Sequence, residues 1–552
     1  MEISLQALTL PNDGGAARQA ALDVLARARL QMEGFVEYQA GRVVLVLGPG
    51  ARAVEAVRAL ESSLDCVIVD EDGSADGPEA AAHVIAKGRP DAVAGYLGAF
   101  QASIHSDGAH RNLAALVGPD LEHFDLVLDL SAAPHVSVER PPVGYFRVGD
   151  DPDALAQALR ELPELVGGFQ KPRYFNYREM LCAHGSRGIT GCTRCLDACA
   201  TGAISSRGER IEVDPYLCQG CGSCATACPS GAMSYAFPAG GALLGVLRSA
   251  VDAYRRHDVP PPCVLFHDDG AGAAALEDLV LRLPERVLPV AVEDVGSIGP
   301  ETWFALLAFG VSDVLLLLPP APEPRLEAAT RDQHALAGEI LEGIGQSAAR
   351  VRVLADIGEL ADALGSLSER APRSLDDRFS VSGGKREVWQ RALFALADPP
   401  PRAFELSAGA PFGAVEVDRD ACTLCMACAA VCPVEALGSA GSAPQLLFAE
   451  DHCVQCGICQ RACPEDAIAL APRMDVYAQT VPERRVLHEE RPYHCLQCGK
   501  PFATERIIDR ITSQLADHWM FRDERALRRL KMCDECRVRD LLAEEGGMDK
   551  YQ

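Results

Sequence analysis

Short aliphatic runs alternate along much of this chain with Ala/Leu/Glu-rich stretches of helical character. A helix is expected near the start; Val43 to Leu47 then predicts a strand, Ala51 to Leu60 a helix, and Cys66 to Asp70 and Phe124 to Leu130 further strands. The pattern returns later, with strands predicted at Cys263 to Phe266, Val287 to Val292, Val314 to Leu318 and Val351 to Leu354. Apolar runs that do not alternate suit strands buried on both faces, so two α/β domains are expected, over 1–172 and 241–400, the second with a largely parallel sheet. Breakers at Pro260 to Pro262, Ser380 to Lys385 and Pro399 to Pro401 mark the expected domain edges.

At 552 residues the chain has length for several domains, and 48% hydrophobic with 24% charged residues excludes a disordered or collagen-like polymer. The 78 acidic against 52 basic residues give a net charge of −26, which repels phosphate backbones and anionic lipid and makes nucleic acid an unexpected partner. No apolar run approaches the ~20 residues of a membrane span. The opening Met1 to Gln6 has neither a basic start nor an apolar run, so a cytoplasmic protein with reduced thiols is expected. That setting makes its 22 cysteines candidate metal ligands.

Twenty of them fall in three segments, 182–228, 422–463 and 495–536; Cys66 and Cys263 stand alone in apolar runs as expected buried thiols. The spacing C-x2-C-x2-C-x3-C-Pro occurs three times, at Cys218, Cys221, Cys224 and Cys228, at Cys422, Cys425, Cys428 and Cys432, and at Cys453, Cys456, Cys459 and Cys463. An irregular copy runs Cys182, Cys192, Cys195, Cys199, with Ala200 where the proline should be. Zinc ribbons or dithiol motifs would explain pairs of C-x2-C but not the third cysteine or the proline. The pattern resembles bacterial-type ferredoxins with two 4Fe–4S clusters, and two such modules are placed at 173–240 and 412–475. In that family three cysteines of one motif and the last of its neighbour hold each cluster. The resemblance therefore implies four sets: Cys182, Cys192, Cys195 and Cys228; Cys218, Cys221, Cys224 and Cys199; Cys422, Cys425, Cys428 and Cys463; Cys453, Cys456, Cys459 and Cys432. The long gap after Cys182 leaves His184 as a competitor.

Cys495, Cys498, Cys533 and Cys536 form two C-x2-C pairs, and the 484–552 segment reads as a zinc-ribbon-like domain holding one zinc, with a fifth iron–sulfur cluster as the rival. His494 and His518 read as surface residues. From Arg484 to Arg539 the chain carries 13 basic and 9 acidic residues, an island of net +4 that could bind nucleic acid but reads first as solvated arginines or a docking surface for an acidic partner. In the first α/β domain Gly48, Gly50 and Asp70 outline a dinucleotide loop, although Pro49 removes one amide and a structural turn is the favoured reading of the glycines.

Three stretches carry a wider likeness: Lys171 to Tyr177 with Cys182, Ala183 and His184; Gly191 to Asp197; and Cys495 to Phe502 with Met532 to Val538. They resemble large bacterial 4Fe–4S polyferredoxin-like proteins associated with formate dehydrogenases. Residues 287–318 are faintly similar to the small iron–sulfur subunit of methyl-viologen-reducing hydrogenases, without its cluster cysteines, which implies a scaffold or docking unit. The expected function is electron transfer to or from a redox partner, with formate dehydrogenase the partner the resemblance implies and no catalytic residue assigned. The alternatives are an NAD(P)H-dependent oxidoreductase subunit and a maturation or docking factor for a molybdenum or tungsten enzyme.

Overall fold

A computed structural model describes every residue except 1, 4–14, 32, 107–108, 278–282, 373–381, 398–402, 442, 482, 522 and 545–552. The Pro399 to Pro401 breaker and residues 380–381 of the Ser380 to Lys385 stretch lie outside the described residues.

Val43–Gly48 reads VVLVLG and is buried almost throughout, which requires cover on both faces. It lies at the centre of a five-stranded parallel sheet in the order Tyr145–Arg147, Leu126–Asp129, Val43–Gly48, Asp65–Asp70, Val84–Lys87. Val44 and Val46 pack on Ala53, Val57 and Leu60 of the helix Gly50–Leu60. Leu45 and Leu47 point the other way, onto Phe100 and Phe124.

A second parallel sheet has the order Val287–Val292, Cys263–Asp268, Asp313–Leu317, Val351–Leu354. Cys263 and Leu265 face one core with Leu315 and Leu317, while Val264 and Phe266 face another with the helices Gly240–Arg255, Pro300–Ala308 and Lys385–Leu396. The opening helix, Ala16–Arg27, joins this second core rather than the first sheet. Its Leu22 and Leu25 are 5% and 1% exposed, and each stabilises that packing by roughly 1.5–3 kcal/mol.

The two cysteine-rich modules share one plan. In the first, Phe175–Tyr177 pairs antiparallel with Met233–Tyr235 and Ile204–Arg207 with Arg210–Val213, around the one-turn helices Arg194–Asp197 and Ser223–Ala227. In the second, Gly413–Val417 pairs with Ile468–Met474 and Leu437–Ala440 with Ala443–Ala449, around Ala427–Ala430 and Ile458–Ala462. Arg484–Glu489 adds a strand to Ala443–Ala449, so the C-terminal segment is continuous with the second module. Beyond it come the hairpin Pro492–His494 with Pro501–Thr504 and the helices Glu505–Leu515, Glu524–Leu530 and Asp534–Glu544. Among the described residues no helix is long and apolar enough to cross a membrane.

Candidate metal centres

Wrapping a short chain around a compact cofactor demands sharp reversals, and the backbone supplies them at fixed places. Within each regular motif the second residue after the first cysteine is left-handed: Gly220 at φ 80°, Leu424 at 54° and Gln455 at 53°. The residue after the second cysteine is too: Gly222, Met426 and Gly457, at 77°, 62° and 78°. A third reversal comes three residues after each fourth cysteine, at Gly202, Gly231, Glu435 and Asp466. Side chains other than glycine cost about 1–2 kcal/mol in this region, so the second module tolerates strain that the first avoids with glycine. Thr193 and Arg194 of the irregular motif keep negative φ, and its longer first gap turns instead at Arg187 and Gly188.

These turns gather the sixteen motif cysteines around four cavities. One is lined by Cys182, Cys192, Cys195 and Cys228. Its neighbour is lined by Cys199, Cys218, Cys221 and Cys224. In the second module Cys422, Cys425, Cys428 and Cys463 line one cavity and Cys432, Cys453, Cys456 and Cys459 the other. Each cavity thus takes three cysteines from one motif and the last cysteine of the partner motif. The remaining walls are mostly apolar, including Ile204 and Tyr235, Ile211 and Met233, Leu446 and Ile468, Phe448 and Leu470, with polar residues such as His184 and Gln455 among them.

The donor set suits a polycationic inorganic group. Burial pushes the Cys192 and Cys453 thiols up to about 11 and those of Cys221 and Cys428 up to about 12, so bare thiolates are costly there and a bound cation offsets that cost. Hydrogen bonds are already directed at the sulfurs. The Met233 amide donates to Cys228 Sγ at 3.3 Å, the Ala467 amide to Cys463 Sγ at 3.4 Å and Gln455 Nε2 to Cys453 Sγ at 3.4 Å. His184 does not compete as a ligand, because Nδ1 meets the Cys192 carbonyl at 2.9 Å and Nε2 meets Ser206 Oγ at 2.7 Å.

Basic side chains from outside the modules bond to cysteine carbonyls, a feature the cysteine spacing gave no sign of. Lys171 Nζ donates to Cys218 O at 2.6 Å, Arg325 to Cys199 O at 2.8 Å, Lys385 to Cys228 O at 3.0 Å, Arg386 to Cys453 O at 2.8 Å and Arg506 to Cys422 O at 3.3 Å. All but Lys171 and Cys218 are more than 60 residues apart.

Cys495, Cys498, Cys533 and Cys536 are arranged differently, with all four sulfurs within 4.8 Å of one another. The Cys498 and Cys533 sulfurs lie 3.7 Å apart, near the about 3.8 Å edge of a tetrahedron with zinc–sulfur bonds of about 2.3 Å. Gly499, at φ 70°, closes the knuckle and donates its amide to Cys495 O at 2.9 Å. Burial raises the Cys495 thiol, but amides of Cys498, Cys533 and Gln497 outweigh it and hold the group down at about 6. Neither His494 nor His518 belongs to this group.

The glycine loop of the first sheet is filled by its own chain. The Gly50 amide donates to Asp72 Oδ1 at 3.0 Å and the Ala51 amide to Ser74 Oγ at 2.9 Å, where a pyrophosphate would otherwise sit. Asp70 is fully buried, and its two oxygens accept from the Gly73 and Ala75 amides of its own loop. Gly50 is required by packing, since a Cβ there would lie 2.4 Å from Ala75 N, and Gly48 by its φ of 131°. These residues form a structural turn.

Comparison with known families agrees with the geometry of the two modules. A model of the 4Fe–4S dicluster domain matches residues 190–232, and a second model of the 4Fe–4S dicluster domain matches residues 414–464. The chain carries two 4Fe–4S dicluster ferredoxin domains. No curated protein matches it. The two domains provide for up to four clusters, and the C-terminal cysteine group is a candidate site that could hold zinc or another cluster.

Proposed function

We propose that this chain is an electron carrier in which the four cavity sets hold one 4Fe–4S cluster each and Cys495, Cys498, Cys533 and Cys536 hold one zinc. The observation that carries this reading is the division of sixteen cysteines into four apolar cavities of four. When bound, each cluster supplies a site that accepts and releases one electron. The protein's part is to ligate, to exclude water with the aliphatic walls and to fix the sulfurs with amide hydrogen bonds. Four thiolates per cluster leave no open iron for a substrate, so the role is transfer rather than bond-making. The closeness of the C-terminal sulfurs favours a single ion, because a cubane holds each sulfur on a different iron and spreads them. The donor read from the sequence resemblance is a formate dehydrogenase, which would feed electrons to the clusters from its own active site.

The test is a redox titration of anaerobically reconstituted protein followed by low-temperature electron paramagnetic resonance. Cubane signals that appear on reduction support the reading, and reduced protein without them overturns it. Addition of formate with a partner formate dehydrogenase should reduce the clusters, whereas NADH or NADPH alone should not.

A further inference from the structure

Lys385 and Arg386 are the first two residues of the helix Lys385–Leu396, whose body packs Val388, Trp389 and Leu393 into the core of the second sheet. The two side chains leave that core and enter the junction between the ferredoxin modules. Lys385 Nζ donates to three carbonyls of the first module, those of Ala225, Thr226 at 2.7 Å and Cys228 at 3.0 Å. Arg386 spans both modules, with Nη1 on Pro229 O at 3.2 Å, Nη2 on Cys453 O at 2.8 Å and Nε on Asp451 O at 2.7 Å. Its guanidinium also lies 4.8 Å from the Phe412 ring centre.

The same junction brings two of the four cavities together. Arg461 of the second module donates to Thr190 O, and Arg194 of the first to Gly409 O. Gly191 faces Ile458 so closely that a Cβ there would lie 2.7 Å from Ile458 Cδ1. Gly191 precedes Cys192 and Ile458 precedes Cys459, so the inner cavities are those of Cys182, Cys192, Cys195 and Cys228 and of Cys432, Cys453, Cys456 and Cys459. Lys385 serves the first, and Arg386 serves the second while also reaching the Pro229 carbonyl at the wall of the first.

We propose that Lys385 and Arg386 set the reduction potentials of the two inner clusters, raising each by fixing a positive charge beside its ligand backbone at the module junction. The proposal rests on the cluster assignment above. Reduction adds one negative charge to a cluster, and a cation held nearby in a poorly solvated site stabilises the reduced state. The Lys385 side chain is 9% exposed, whereas Arg506, which makes the equivalent contact at an outer cavity, is 39% exposed and more strongly screened. Glu301 opposes Lys385. Its Oε2 is buried without a hydrogen-bond partner, 3.8 Å from Lys385 Nζ.

That opposition gives the experiment two signs. In reconstituted full-length protein, titrated with dithionite and read by electron paramagnetic resonance, Lys385→Met should lower the potential of one inner cluster, and Arg386→Met should lower chiefly that of the other. Each shift should be at least tenfold in the reduction equilibrium, about 59 mV for one electron, with the other two clusters unmoved. Lys385→Arg should retain the original value. Glu301→Gln should move the Lys385-dependent cluster upward. If the methionine variants lose iron, Glu301→Gln decides alone: full iron content with no shift, or a downward one, overturns the proposal. Wild-type protein without clusters would instead overturn the functional reading itself.

Discussion

The sixteen cysteines of the ferredoxin modules and the four of the C-terminal segment share the C-x2-C element, and the fold uses it in two ways. In the modules, left-handed residues such as Gly220 and Met426 spread each motif around a cavity, and the fourth cysteine arrives from the partner motif. In the C-terminal segment two C-x2-C pairs bring four sulfurs within 4.8 Å of one another. Among the described residues no other group of three or more such ligands is as close. The third cysteine of a motif therefore marks a different shape of site: four cysteines spread around a hollow, as against four sulfurs gathered within 4.8 Å of one another.

The largest expected effect breaks the exchange between motifs. Cys228→Ser should deplete the cavity of Cys182, Cys192 and Cys195, about four iron per chain, and leave the adjacent Cys218, Cys221 and Cys224 set occupied. Iron analysis with electron paramagnetic resonance checks this, and loss of the Cys218 set alone would contradict it. Next comes the C-terminal cysteine group: replacing Cys533 and Cys536 together with serine should remove about one zinc and no iron. A fall of about four iron would place a fifth cluster there instead. The smallest effect separates backbone strain from packing. Gly222 and Gly457 have the same φ within a degree, but a Cβ on Gly222 would lie 2.4 Å from Ser297 Cα, and one on Gly457 meets nothing closer than 3.8 Å. Gly457→Ala should cost about 1–2 kcal/mol of strain and Gly222→Ala more. The thermal midpoint of cluster bleaching should fall further for Gly222→Ala.

The sequence displayed the three central strands of the first parallel sheet and all four of the second, because strands such as Val43–Gly48 and Val287–Val292 are buried on both faces and read as unbroken apolar runs, but it did not display the first sheet's edge strands Val84–Lys87 and Tyr145–Arg147. It did not display which core the helix Ala16–Arg27 covers, since an apolar stripe says that a helix is buried and not against what. The four sets came from the resemblance to bacterial-type ferredoxins, since spacing alone does not say that the fourth cysteine of a cavity arrives from the partner motif. The cations at the cysteine carbonyls were invisible by contrast: Lys385 and Cys228 are 157 positions apart, and Lys385 ends a stretch that reads as a glycine-rich linker. The loop of Gly48, Gly50 and Asp70 shows the opposite failure. Its outline was plain, but only the fold places Asp72 and Ser74 on the amides that a nucleotide would need.

Iron, acid-labile sulfide and zinc measured on one anaerobic preparation test the account most directly. Four cluster cavities and one single-ion site predict about 16 iron, about 16 sulfide and about one zinc per chain. About 20 iron and 20 sulfide with no zinc, or zinc in place of iron in the modules, would contradict it.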